Sequence, residues 1–135
     1  MDNYRPISVL PVASRILERV VHCQLYRYLN THHLFSPYQH GFRKKHSTES
    51  ATLTFTDTIR RGIDQGFLTG AVFIDLRKAF DTVDHNVVVR KLQQIGVVNT
   101  ELNWFKNYLN NRTQVVKIEN KSSQVSDINT GVPQG

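Results

Sequence analysis

Asp75 is the residue of this sequence best placed to do chemistry. It follows directly on Ala71-Val72-Phe73-Ile74, so a carboxylate stands where a short apolar run emerges. Such a run predicts a buried strand, and a strand end holds an acidic side chain in restricted geometry. A carboxylate there can ligate a divalent cation. Phosphoryl transfer asks little else of protein, because metal ions hold the phosphates and take up charge on the attacking and leaving oxygens. Magnesium takes several oxygen ligands, however, so one Asp is an incomplete site. An Asp that merely ends a strand and caps the next turn fits the same position.

The other chemical candidates cluster by charge. Asp81 and Asp84 follow Asp75 closely, and Asp84 is better explained as a helix N-cap and Asp81 as an Asx-turn. Arg43-Lys44-Lys45-His46 leads into a predicted helix start, where cations beside free N–H groups suit a phosphate. A solvated charged loop is the other reading of that run. Arg60-Arg61, Arg77-Lys78 and Arg90-Lys91 read as solvated faces. Six histidines accompany a single cysteine, Cys23, so no paired-cysteine zinc ligand set exists and no structural zinc is expected.

Bulk properties bound the function. With 135 residues, 39% hydrophobic and 21% charged, the chain suits one globular domain with a modest core and excludes disorder. A formal net charge of +6 favours polyanionic partners without naming one. One cysteine excludes an intramolecular disulfide. The polar start Met1-Asp2-Asn3-Tyr4-Arg5 lacks a signal-peptide core, and no apolar run reaches membrane-spanning length. The expectation is a soluble intracellular protein of cytoplasm or nucleus.

The elements that must position these residues follow from periodicity. Pro6 favours an extended entry at Arg5. A helix is expected from about Pro11 to Thr31, with Ile16, Val20, Val21, Leu25, Tyr28 and Leu29 on one face and Cys23 buried beside it. After a loop from His32 to His46, a second helix runs from Thr48 to about Gln65. Ser47 caps it, Ala51, Phe55, Ile59 and Ile63 form its stripe, and Gly66 ends it. The strand before Asp75 comes next. A third helix takes Asp84 as cap and Gly96 as stop, with Val88, Leu92 and Ile95 inward. A fourth takes Thr100 as cap, with Leu102, Phe105 and Leu109 inward. Thr113 to Glu119 alternates as a strand with Val116 and Ile118 on one side, Asn120 to Ser123 turns, and Gln124 to Asn129 returns. Gly131-Val132-Pro133-Gln134-Gly135 closes the chain as a turn, which suggests an interrupted domain. Helices mixed with few strands argue for an α+β (mixed α/β) class.

Four motifs occur in one order: Asn3-Tyr4-Arg5-Pro6-Ile7-Ser8; Gln39-His40-Gly41-Phe42-Arg43 with Ser47-Thr48; Phe73-Ile74-Asp75-Leu76-Arg77-Lys78-Ala79-Phe80-Asp81-Thr82-Val83-Asp84-His85; and Gly131-Val132-Pro133-Gln134-Gly135. Together they resemble the reverse transcriptase of non-LTR, LINE-type, jockey-like retrotransposons, over essentially the whole chain. The resemblance implies fingers and the first part of the palm of a right-hand polymerase, with about 1–70 fingers-like and about 71–135 palm-like. It implies an RNA-directed DNA polymerase using an RNA template, a DNA primer, deoxynucleoside triphosphates and two Mg2+ ions.

By the same resemblance Asp75 binds both metals and the Leu76 carbonyl assists. Phe80 lies under the incoming sugar and excludes a 2′-hydroxyl. Arg43 reaches the triphosphate, and Gln134 lies by nucleotide and template. Arg43, Lys44 and Lys45 are the nucleic-acid-binding candidates. The family's downstream aromatic-x-Asp-Asp does not occur in the sequence, so the chain alone is expected to be inactive. The alternative is a non-catalytic, basic nucleic-acid-binding relic or domesticated module.

Overall fold

The computed structural model describes residues 7–133. Among the described residues four helices occur in chain order, α1 (Val12–Thr31), α2 (Thr48–Asp64), α3 (His85–Gln94) and α4 (Asn99–Leu109), followed by short strands β1 (Arg112–Gln114), β2 (Lys117–Ile118), β3 (Lys121–Ser122) and β4 (Ser126–Ile128). The class is α+β, as expected. The chain divides into two compact units, 16–75 and a second made of 1–15 with 76–135.

The first two helices form where local signals put them, and α1 crosses the boundary between the units, its residues 12–15 grouping with the second. Pro11 sits just outside α1, and its carbonyl accepts the Arg15 N–H at 3.2 Å. Proline lacks the N–H that an interior position would need, so it serves at the threshold of the helix. Ser47 caps α2 through a reciprocal box: its hydroxyl accepts the Ser50 N–H at 3.2 Å and the Ser50 hydroxyl accepts the Ser47 N–H at 2.9 Å. Serine thus fills the place usual for Glu or Gln. Gly66 ends α2 at φ 76, with its N–H on the Ile63 carbonyl and the Phe67 N–H on the Gly62 carbonyl, both 2.9 Å. That is a Schellman closure, and its left-handed residue is the glycine.

No residue described in this first unit is buried. Ile16 and Val20 remain exposed, and so does the Cys23 thiol, which corrects the expectation of a buried cysteine. A helical face is buried only when another element covers it, and periodicity states only that a face exists. The expected strand at 71–74 is also absent. Ala71 to Asp75 is irregular, with Val72, Phe73 and Ile74 more than four-fifths exposed. A strand is held by a neighbour's N–H and C=O groups, and no described strand lies beside this segment.

The second unit contains the core. α3 packs on α4, and Leu92, Val97, Leu102 and Leu109 are buried together with the polar His85. Asp84 caps α3, its Oδ1 accepting the Asn86 N–H at 2.7 Å and the Val87 N–H at 3.3 Å. Gly96 at φ 90 closes α3 by the same Schellman pattern, with Val97 N–H on the Leu92 carbonyl at 3.0 Å. α4 begins at Asn99, with Val98 as N-cap and no side-chain cap, so Thr100 is not the cap. Val97, just before the cap, is buried in the core.

The hairpin departs from two unbroken strands. β1 pairs with β4 and β2 with β3, both antiparallel. The pairs Gln114↔Ser126 and Lys117↔Ser122 leave two residues on the outgoing strand opposite three on the return. This bulge is sealed by Ser123, whose N–H reaches the Val116 carbonyl at 2.9 Å while its hydroxyl accepts the Val116 N–H at 3.0 Å. The tight turn is Glu119-Asn120, one step earlier than expected, with Glu119 left-handed at φ 53.

Candidate active site

The motif segments are positioned by separate local devices. In the first unit the loop after α1 is fastened to that helix by aromatic and basic side chains. The Lys44 N–H donates to the Tyr26 hydroxyl at 3.0 Å, and the Lys44 ammonium lies 5.4 Å from the centre of the Tyr26 ring. Phe35 packs on Tyr26 at 5.2 Å, and the Arg43 guanidinium lies 5.3 Å over Phe35. Arg43 Nη1 also donates to the Ser36 carbonyl at 2.9 Å. Arg43 is therefore half-buried and held in place, with the other edges of its five-donor fork still available. Lys45 is exposed and left-handed at φ 63, directly after the tethered Lys44. Farther along, His40 Nδ1 lies 2.8 Å from the Ser50 hydroxyl, and the His40 and His46 rings meet edge to face at 5.3 Å. These contacts tie the basic loop to the start of α2.

Asp75 closes the first unit, and at Leu76 the chain returns to the second. Both are exposed, Leu76 by 70%. Among the described residues no group of three or more His, Cys, Asp or Glu could hold a metal ion. Asp75 and the Leu76 carbonyl do not make a complete divalent site by themselves, since Mg2+ requires near-octahedral oxygen coordination.

In the second unit two motif segments meet. The Val132 N–H donates to the Phe80 carbonyl at 2.9 Å and the Gly131 N–H to the Val83 carbonyl at 2.8 Å. Asp84 and Thr130 form an antiparallel bridge, and the Thr130 hydroxyl reaches the Asp81 carbonyl at 3.4 Å. His85 Nε2 lies 2.7 Å from the Gly131 carbonyl. A carbonyl only accepts, so that nitrogen carries the proton. Gly131 is required twice over: its φ is +86, and a Cβ there would stand 2.8 Å from the Asp81 carbonyl oxygen.

Phe80, 39% exposed, thus belongs to a backbone clamp closed by the Gly131 turn. Asp84 is the helix cap expected of it. Gln134 lies outside the described residues, as does most of the Asn3 to Ser8 motif. Sequence reasoning passed over His85 as an individual residue. Its signal was a histidine placed directly after an N-cap, where the first-turn side chain points back toward the preceding loop.

One unit thus joins two of the motif segments and the other tethers a basic loop. The chain belongs to the reverse transcriptase (RNA-dependent DNA polymerase) family, whose profile matches residues 1–135. Over 140 residues it is 32% identical to the probable RNA-directed DNA polymerase from transposon BS of Drosophila melanogaster, covering 99% of this chain and 15% of that protein. Over 135 residues it is 28% identical to the RNA-directed DNA polymerase from mobile element jockey of the same species, covering 100% of this chain and 15% of that protein. A further relative is the retrovirus-related Pol polyprotein from type-1 retrotransposable element R2 of Popillia japonica, 28% identical over 99% of this chain and 18% of that protein. The chain therefore spans less than a fifth of the length of these relatives. No solved structure matches it. Among the described residues no helix is long and apolar enough to cross a membrane.

Proposed function

We propose that this chain supplies the fingers and the first part of the palm of an RNA-directed DNA polymerase from a non-LTR retrotransposon. The observation that supports this best is the clamp between Phe80–His85 and Thr130–Val132, which makes one backbone unit of two segments that the family resemblance assigns to the nucleotide pocket. The polymerase would extend a DNA primer on an RNA template with deoxynucleoside triphosphates. In this reading about 1–70 is fingers-like and about 71–135 palm-like; one boundary between compact units falls near that division, at Asp75 and Leu76, while 1–15 group with 76–135.

Asp75 is the catalytic carboxylate and, with the Leu76 carbonyl, a metal ligand. Phe80 is the sugar gate, Arg43 the triphosphate contact and Gln134 the nucleotide contact. Lys44 and Lys45 meet the nucleic-acid backbone beside Arg43. Magnesium, when bound, would supply charge stabilisation at the reacting phosphate. In this reading the remaining ligands come from an aromatic-x-Asp-Asp segment, which does not occur in these 135 residues, so the chain by itself is expected to make no DNA. An inactive chain that still binds nucleic acid is also what a non-catalytic relic would be, and the longer polypeptide separates the two.

The test compares the 135-residue chain with a longer polypeptide that continues in frame through an aromatic-x-Asp-Asp segment, each given primer, template, deoxynucleotides and magnesium. The chain alone should make no DNA and the longer polypeptide should. In the latter, Asp75→Asn should abolish turnover and leave template binding nearly intact, because the substitution keeps shape and removes charge. DNA synthesis by the isolated chain, or by the Asp75→Asn polypeptide, refutes the assignment.

A further inference from the structure

We infer that His85 is a positioning residue for the nucleotide pocket, acting through the Gly131 turn; this rests on the polymerase reading above. Among the described residues few side chains are buried, and His85 is the polar one of them. A buried imidazole is costly unless its polar atoms are matched, and here Nε2–H is matched by the Gly131 carbonyl at 2.7 Å across 46 residues of chain. Its place is set from the other side as well. His85 opens α3 directly after Asp84, whose carboxylate is committed to the Asn86 and Val87 N–H groups. The imidazole therefore projects from a capped helix end that cannot swing freely.

The turn it holds has little freedom of its own. Gly131 is bonded at its N–H to Val83 and at its carbonyl to His85, and its Cα faces the Asp81 backbone with no room for a methyl group. The next residue, Val132, is bonded to the carbonyl of Phe80. His85 thus fixes the Gly131 peptide, whose neighbour Val132 is bonded to the Phe80 carbonyl, and the backbone at Phe80 inherits that placement. Loss of the N–H would leave a buried carbonyl without a donor, and the turn would open to find water. The ligand side of the role is nucleotide affinity and sugar discrimination, not the bond-making step, because His85 touches backbone and no reacting atom.

The experiment uses the longer polymerase polypeptide, with parent, His85→Leu and His85→Gln. Leucine keeps the volume and removes the donor, whereas the glutamine amide can place a donor near the position of Nε2. Two readouts are taken. The first is amide hydrogen exchange at Gly131 and Val132, whose N–H groups report the clamp directly. The second is steady-state incorporation of a deoxynucleotide and of its ribonucleotide counterpart. His85→Leu should lose protection at both amides and raise KM for the deoxynucleotide about tenfold, the equivalent of one lost buried hydrogen bond, with a smaller change in kcat. His85→Gln should restore most of both.

Unchanged protection in His85→Leu overturns the inference. Lost protection with KM and sugar selection as in the parent also overturns it, since the clamp would then serve folding alone. Equal losses in the Gln and Leu variants mean that the imidazole packs and does not donate, which again overturns it. An inactive parent refutes the polymerase reading and, with it, the role at the pocket, while the exchange data still decide whether His85 holds the turn.

Discussion

Replacing Gly131 with alanine isolates the tightest contact in the clamp. Two penalties act at once. The backbone sits at φ +86, where an L-residue costs roughly 1–2 kcal/mol. The new Cβ would meet the Asp81 carbonyl oxygen at 2.8 Å and the Asp81 Cα at 3.0 Å. Both are main-chain atoms of a segment that is itself hydrogen-bonded, so relief requires backbone movement, at about 1–3 kcal/mol. Movement in turn stretches the bonds to Val83, Phe80 and His85. The expected total is about 3–5 kcal/mol. For a chain of this size that corresponds to a fall in Tm of about 10–15 °C.

Gly66→Ala is the control. Its φ is +76 but nothing lies within 4 Å of the added Cβ, so only the backbone term remains. It should cost roughly 1–2 kcal/mol. Gly41→Ala, in open space, should be close to neutral. Urea unfolding of the three variants measures these differences, and hydrogen exchange at Val132 locates the damage. Equal destabilisation by Gly131→Ala and Gly66→Ala would refute the argument from close approach to Asp81.

Other outcomes follow from the same structure. Asp84→Ala removes both bonds to the first turn of α3 and should destabilise the second unit by about 1 kcal/mol, whereas Asp84→Ser should retain most of that, as read by urea unfolding. In the active longer polypeptide, Phe80→Val should admit ribonucleotides, and a variant that rejects them as strongly as the parent removes the gate assignment. The net charge of +6 predicts weak binding to RNA or DNA without sequence preference, with affinity falling steeply as salt rises; anisotropy in a salt series that shows no such slope removes the electrostatic reading.

The helices were legible in the sequence because their signals are local. Ser47 and Gly66 bracket α2, and Asp84 and Gly96 bracket α3, each within a few residues of the groups they satisfy. The candidate site was legible as a set of motifs for the same reason, since the order of short segments is a property of the chain. Strands are different. Val72-Phe73-Ile74 has the composition of a buried strand and forms none, because strand structure is shared with a partner and no described segment pairs there. Alternation from Thr113 onward announced a hairpin, but the bulge sealed by Ser123 comes from how two registers meet. Cys23 lies beside an apolar stripe and is exposed, because burial depends on what covers a face. Its place directly after the Asp84 cap was the one local signal that His85 gave, and its partner was not readable from its neighbours in sequence. Its partner is the Gly131 carbonyl, 46 residues away, and only the folded second unit brings that acceptor within 2.7 Å of the imidazole.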